Sequence, residues 1–337
     1  MYVLGMGSSL SPLRVGVIGV GTMGKHHARI CAGSPDVILA GIFDTDEERA
    51  REVSQQYDCA SFSSVDELVD QVDAVTIASP TSTHSALGAH CLERGLHVLV
   101  EKPLAHTVQD AELLVNLARE QGATLMVGHI ERYNPATAVL MNILQQEHEA
   151  PLTLTAHRLA PFDGSRCMDV DVLLDLLIHD VDLALHIARA PVKTVSAVGR
   201  QVFSDRIDEA HTRIEFSNGT IATCWTARCS PRKVRTLAVT TKARYLEADL
   251  LNRTLLMCKA NRLPSQEDGT CLMGEFFQEE VAIPYEEPLR RELNEFFQAV
   301  RERFTPSVDG ESALAAMRVV ALVAESIERG GEIRYAR

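Results

Sequence analysis

Basic charge is in short supply: 33 Lys and Arg face 46 Asp and Glu, for a net charge of −13. Such a chain is a poor non-specific binder of nucleic acid or of an anionic membrane surface. An anionic ligand has to be met by a local cluster of donors, not by the global field. Paired cysteines are missing too. None of the eight cysteines lies in a CxxC pair, and Cys224 and Cys229 are spaced too loosely for a zinc knuckle. Scattered thiols behave as small apolar residues of a reducing cytosol, which predicts a cytoplasmic protein. His26 and His27 are adjacent on a helical pattern, face apart and are read without partners, so no metal site is expected. The opening MYVLGMGSSLSPLR has neither a basic n-region nor a long apolar core. It reads as a short lead, residues 1–13, and not as a signal peptide or a span. Repeats and low-complexity tracts are absent.

What is present suits two soluble domains: 337 residues, 46% hydrophobic and 23% charged. From 14 to 127, short apolar runs alternate with helical patterns: RVGVIG, VILAGIF, DAVTIAS, LHVLVE and TLMVG, separated by segments such as DEERAREVSQQY and AELLVNLAREQG. That alternation predicts a doubly wound parallel sheet, a Rossmann domain over 14–130. Beyond about residue 150 a helix is expected over 169–190. Strand-like segments with turn punctuation follow, from VKTVSAVGRQV to ARYLEADL, and two helices close the chain near 288–304 and 311–329. The α/β chain therefore carries a second, α+β domain over 131–337 with an open, mostly antiparallel sheet, whose exposed face favours a homodimer or homotetramer.

GVGTMG, 19–24, directly follows the first strand and opens the first helix. Gly19 permits the tight turn, Gly21 lets backbone approach a pyrophosphate, and Gly24 lets helix and strand pack closely. Thr22 and Met23 begin the helix, whose free N–H groups and positive dipole end suit phosphates. Asp44 ends the next strand, twenty positions after Gly24, where a carboxylate accepts from ribose hydroxyls and repels a 2′-phosphate. The cofactor expected is NAD. The competing reading has the glycines serving packing alone and Asp44 capping the next helix.

Glu101 and Lys102 end a central strand in LHVLVEKP, over the edge where α/β sheets bind ligands. Lys102 there can hydrogen-bond a substrate hydroxyl and stabilise an alkoxide, with Pro103 restricting its backbone. The alternative is a surface lysine. In VDVLLDLLIHDVD, 170–182, helical spacing puts Asp171, Asp175, His179, Asp182 and His186 on one polar stripe of a buried helix. Asp175, one turn before His179, would orient the imidazole and equip it as a general base. Asp180 falls off the stripe and reads as a structural hydrogen-bonding residue. A core histidine is the rival reading of His179.

GVGTMG, SPTSTH (79–84), EKP (101–103) and DLLIHD (175–180), in that order, resemble the Gfo/Idh/MocA family of oxidoreductases from Arg14 onward. The resemblance implies catalytic roles for Lys102, Asp175 and His179, acting across a cleft. It also implies cofactor contacts from Ser79, Pro80, Thr81, His84 and Glu101. The family's P-N-x-x-H has Thr81 in place of asparagine here. GHIERYNPA (128–136) and HRLAPFDGSRCMDVDV (157–172) look most like the family members that oxidise the C3 hydroxyl of nucleotide sugars, UDP-N-acetylglucosamine in particular. Arg132, Tyr133 and Asn134 then lie where substrate enters, and Arg132, Arg158 and Arg166 are candidate phosphate donors. Asn134 before Pro135 is equally a helix cap. Other readings stay open: the uronate form of that sugar, or another sugar or an inositol, as substrate, and a non-catalytic NAD-binding sensor or scaffold.

Overall fold

The computed structural model of the chain describes residues 11–147, 150–163, 170–260 and 276–334. They form two units. Most of the lead, residues 1–10, and the candidate donor Arg166 lie outside the described residues.

The first unit runs to Ala105 and adds Asp110–Gly128 and Glu292–Gly310. In chain order it holds β1 (Leu13–Ile18), α1 (Thr22–Ala32), β2 (Val37–Phe43), α2 (Glu47–Tyr57), β3 (Ala60–Ser61), α3 (Val65–Val69), β4 (Ala74–Ile77), α4 (Thr81–Glu93), β5 (His97–Glu101), α5 (Val108–Gln121, from Asp110) and β6 (Leu125–Gly128). The six strands are parallel, in the order β3-β2-β1-β4-β5-β6. Continuous apolar runs make this possible. β4 and the centre of β5 are buried throughout, as strands covered on both faces must be. The order reverses between β1 and β4, so the loops after these strands part and open a crevice at the sheet's carboxyl edge.

The segment 292–310 corrects the sequence-based division, which gave everything after 130 to the second domain. Val127 N–H donates to the Val308 carbonyl at 3.0 Å, and Met126 bridges to Asp309. Leu293, Phe296 and Phe297 are buried. This return of the chain extends the first unit's core.

The second unit comprises His106–Gln109, His129–Arg291 and the chain from Glu311. A single 3₁₀ turn, Ile130–Tyr133, leads into α6 (Pro135–Gln145) and β7 (Thr153–Leu159). A π-helical turn, Leu173–Leu177, then runs into α7 (Ile178–Ala188). Next come β8 (Val192–Arg200), β9 (Glu209–Phe216), β10 (Ile221–Ala227), β11 (Val234–Thr240), β12 (Arg244–Asp249), β13 (Thr254–Ala260) and β14 (Phe276–Val281). After α8 (Pro288–Glu302), most of which belongs to the first unit, α9 (Gly310–Arg329) and β15 (Ile333–Arg334) complete the chain. The sheet order is β14-β13-β12-β11-β7-β10-β9-β8-β15. Its pairs are antiparallel except β7 with β10.

Alternation divides this sheet into two faces. Leu154, Ala156 and Arg158 of β7 pair across to Val239, Leu237 and Arg235 of β11, on the face covered by α7. Thr155 and His157 point to the opposite, open face. There Trp225 makes an edge contact with the His157 ring at 5.8 Å and stacks on His211 at 5.5 Å. A groove of about 780 Å³ runs over this face. No helix among the described residues is long and apolar enough to cross a membrane.

The helix expected over 169–190 runs without a break from 172 to 188 but opens in a different geometry. Residues 164–169 lie outside the described part, and the first regular turn, Leu173–Leu177, is π-helical, a geometry that often marks functional positions. Asp171 does not extend the polar stripe. Its Oδ1 accepts from Leu173 and Leu174 N–H at 3.0 and 3.2 Å and so caps the turn.

Candidate active site

In the first unit, the ends of β1, β2, β4 and β5 bring the predicted nucleotide residues to one edge. Gly19 takes φ +83°, and a Cβ on Gly24 would collide with the Gly19 carbonyl oxygen. Both positions require glycine for the fold itself. Gly21 is different, because a Cβ there would meet nothing within 4 Å. Packing does not demand that glycine, and the space above it is open to a ligand that approaches the backbone closely. Thr22 and Met23 begin α1 without any side-chain cap, leaving the first-turn donors turned to the same space.

Asp44 is not the cap of α2. That task falls to Asp46, which accepts from Arg49 N–H at 3.0 Å. Asp44 accepts from Val20 N–H at 2.8 Å and Asp46 N–H at 2.9 Å, which fixes an acceptor beside the glycine loop. A carboxylate carries about four acceptor positions, so capacity for ribose hydroxyls remains.

Ser79 and Pro80 precede α4, Thr81 begins it, and Ser79 Oγ and Thr83 Oγ1 are 2.7 Å apart. His84 is buried between two carbonyls, those of Pro103 at 2.8 Å and Ser79 at 3.0 Å. It ties the loop after β4 to the turn that follows β5, where Lys102–Pro103 is a cis peptide. His84 thus acts on that edge through backbone anchoring.

Glu101 has a partner the sequence did not disclose. His27, read as unpartnered, is buried on α1 with its Nε2 3.0 Å from Glu101 Oε1. Burial raises the Glu101 carboxyl's proton affinity. The His27 hydrogen bond and charge outweigh this, aided by Lys102, and hold it below the usual range. Lys102 N–H also faces Glu101 Oε2 at 3.3 Å. Glu292, on α8, is fully buried in the same unit with neither carboxyl oxygen hydrogen-bonded among the described residues. Desolvation, followed by the charge of Glu101, pushes its proton affinity well above the ordinary range, which favours the neutral acid.

In the second unit, α7 carries His179 and Asp182, both buried. His129, at the start of this unit, was missed by sequence reasoning. It is buried and meets the His179 ring edge-to-face at a centroid distance of 6.3 Å. Asp182 is pushed up by burial, but His129 and Arg132 overcome that and keep it ionised. Burial and the Arg132 charge lower His186 to about 4, so it is neutral near pH 7. Asp175 is half-buried in the π turn, and its charge acts on Arg235.

Most of the expected substrate contacts are spent inside the protein. Arg132 forks onto Asp182 at 2.7 and 2.8 Å and places Nη1 2.7 Å from His186 Nδ1. Arg158 is 1% exposed and bridges Asp180 and Glu131 at 2.8 and 2.9 Å. Neither guanidinium is offered to a phosphate. The reason is the fold: Glu131 from the 3₁₀ turn and Asp180 from α7 converge on one β7 side chain, and a buried cation must be paired. Asp180 is thus structural. Asn134 caps α6 by accepting from Ala136 N–H at 3.1 Å, and donates to Glu131 and to the Leu250 carbonyl. Tyr133 is buried beside it.

Residues 13–129 match the Gfo/Idh/MocA oxidoreductase family, NAD-binding Rossmann fold, and residues 152–246 match the family's C-terminal domain. Over 322 residues, 93% of this chain and 98% of its relative, the sequence is 36% identical to UDP-N-acetylglucosamine 3-dehydrogenase from Acidithiobacillus ferrooxidans. A solved structure of that enzyme superposes with a TM-score of 0.86, covering 95% of this chain and 99% of the other at 35% identity. Myo-inositol 2-dehydrogenase from Thermotoga maritima is 26% identical over 96% of this chain and 98% of its own length. Levoglucosan dehydrogenase in complex with NADH and levoglucosan shares the fold at 21% identity, with a TM-score of 0.86 over 97% of this chain and all of that one.

Proposed function

The chain belongs to the Gfo/Idh/MocA oxidoreductases, which act on CH–OH groups with NAD, and from that premise we propose that it oxidises the C3 hydroxyl of UDP-N-acetylglucosamine to a ketone. The observation that carries this reading is the full-length likeness to a relative of that name. Bound NAD supplies the hydride acceptor. Gly19, Gly21, Thr22, Met23 and Gly24 would hold its pyrophosphate, Asp44 its adenosine ribose, and the Ser79–Thr81 loop would flank it. Lys102 hydrogen-bonds the C3 oxygen and stabilises negative charge as the C–H bond breaks. His179 takes the hydroxyl proton, with Asp175 favouring the charged imidazole. One hydride and one proton leave the CH–OH group, and a ketone and NADH result. The carboxylate of Asp44 repels a 2′-phosphate and so favours NAD over NADP.

The test incubates the protein with NAD and UDP-N-acetylglucosamine. It follows absorbance of NADH and, because bound NADH can be recycled, looks for the 3-keto sugar directly by mass spectrometry. The expected result is both products. Oxidation of inositols or free sugars, with no ketone from any nucleotide sugar, overturns the reading. We also propose self-association through the open sheet face, where Trp225 and Val198 are exposed. Light scattering at the mass of a dimer or tetramer is expected, and a monomer at micromolar concentration contradicts it.

A further inference from the structure

The sequence nominated three arginines for the substrate's phosphates. Arg132 and Arg158 are consumed by buried carboxylates, and Arg166 lies outside the described residues. A fourth arginine, on the same covered face, is placed differently. Arg235 of β11 is the direct cross-strand neighbour of Arg158 on β7. Its side chain is 37% exposed, against 1% for Arg158. The guanidiniums of Arg158 and Arg132 each donate several hydrogen bonds, whereas that of Arg235 donates none among the described residues. Its nearest carboxylate oxygen, Glu131 Oε1, is 3.5 Å away and is already held by Arg158 at 2.9 Å.

A guanidinium carries five N–H donors in a fixed fork. Here that fork is partly withdrawn from water, and its contact with Glu131 is long, at 3.5 Å. Desolvation and the like charge of Arg158 both work against its cation, opposed by Glu131, Asp180 and Asp175. An arriving anion relieves that repulsion, and a neutral hydroxyl does not. Asp175, in the turn that leads to His179, is among the charges that act on Arg235. On an acidic chain such a local donor is what an anionic ligand requires.

We propose that Arg235 is the specificity-determining residue through which the second unit holds the diphosphate of the nucleotide sugar, its planar fork set against two phosphate oxygens. The proposal rests on the nucleotide-sugar reading above. Calorimetric titration of the NAD-loaded protein with UDP, UDP-N-acetylglucosamine and free N-acetylglucosamine tests it, together with steady-state kinetics. Arg235→Gln should weaken UDP binding about 10- to 100-fold, the range of a lost charge-assisted contact, and should raise KM by a similar factor while kcat changes little. Arg235→Lys should restore only part of the loss, since an ammonium cannot form the fork. Unchanged UDP affinity and KM in Arg235→Gln overturn the proposal, even if the wild type oxidises the nucleotide sugar. A fall in kcat at constant KM also overturns it, since Arg235 would then serve Asp175 instead. A wild type that binds UDP through Arg235 yet forms no 3-keto sugar overturns the substrate reading and leaves this assignment standing. If no UDP binds, both fail. Should Arg235→Gln unfold, Arg235→Lys and UDP titration of the wild type decide the matter.

Discussion

The two units of this molecule prepare for ligands in opposite ways. The first offers backbone: a glycine loop with open space over Gly21, uncapped first-turn donors on α1, and Asp44 anchored by Val20 N–H. The second offers side chains, most of them already paired with one another, as Arg158 is with Glu131 and Asp180. A backbone cradle is specified by residues adjacent in the chain. A buried charge network is specified by residues from β7, α7 and a 3₁₀ turn that meet only in the fold. Gly21 in the first can be probed with little cost to stability, and Arg158 in the second cannot.

The largest contrast should come from the reacting groups. Lys102→Ala and His179→Ala are each expected to lower kcat by about 10² to 10⁴, the usual contribution of acid–base groups. NAD affinity measured by fluorescence titration should change less than about threefold, which separates chemistry from cofactor binding. Next is Arg158→Met. Removing the cation leaves two buried carboxylates facing each other, and urea unfolding should show a loss of about 3–5 kcal/mol. If it costs under 1 kcal/mol, the network is not what holds the second unit together.

Paired glycine variants sharpen the contrast within the first unit. Gly24→Ala should cost about 1–3 kcal/mol, because its Cβ runs into the Gly19 carbonyl. Gly21→Ala should leave the melting temperature unchanged and weaken NAD binding by about tenfold or more, because the methyl takes space meant for phosphate. Equal stability losses in both would deny the cradle.

The smallest effect concerns Glu292. Its folded-state proton affinity exceeds the unfolded one, so its contribution is fully present below the unfolded carboxyl range and is lost as pH rises through the raised value. Glu292→Gln should therefore gain about 1 kcal/mol at pH 8 and nothing at pH 4 in denaturant titrations. Glu131 and Asp182 act oppositely. Their lowered affinities contribute stability above about pH 4 that is lost on acidification.

The same contrast explains what could be read in advance. The parallel strands of the first unit were legible because each is a continuous apolar run followed by a helical period. The two-residue β3 and the five-residue α3 were not, being too short to carry a period. In the second sheet the turn-punctuated β8 to β12 could be read, whereas β7, which lies between β10 and β11, could not. Nothing local announces a strand whose pairing partners lie some seventy to eighty residues downstream. The site follows this division. The glycine loop, Lys102 and His179 sit in motifs of adjacent residues. The partner of His27, the burial of Arg158, the contact of His129 with His179 and the open fork of Arg235 depend on pairings between distant strands and helices. No spacing rule encodes them.

The most direct measurement is hydride tracing with UDP-N-acetylglucosamine deuterated at C3. After incubation with NAD, mass spectrometry should find one deuterium in the reduced cofactor and a ketone in the nucleotide sugar. Reduced cofactor without deuterium, or a sugar returned unchanged while another polyol is oxidised, would contradict C3 oxidation by this protein.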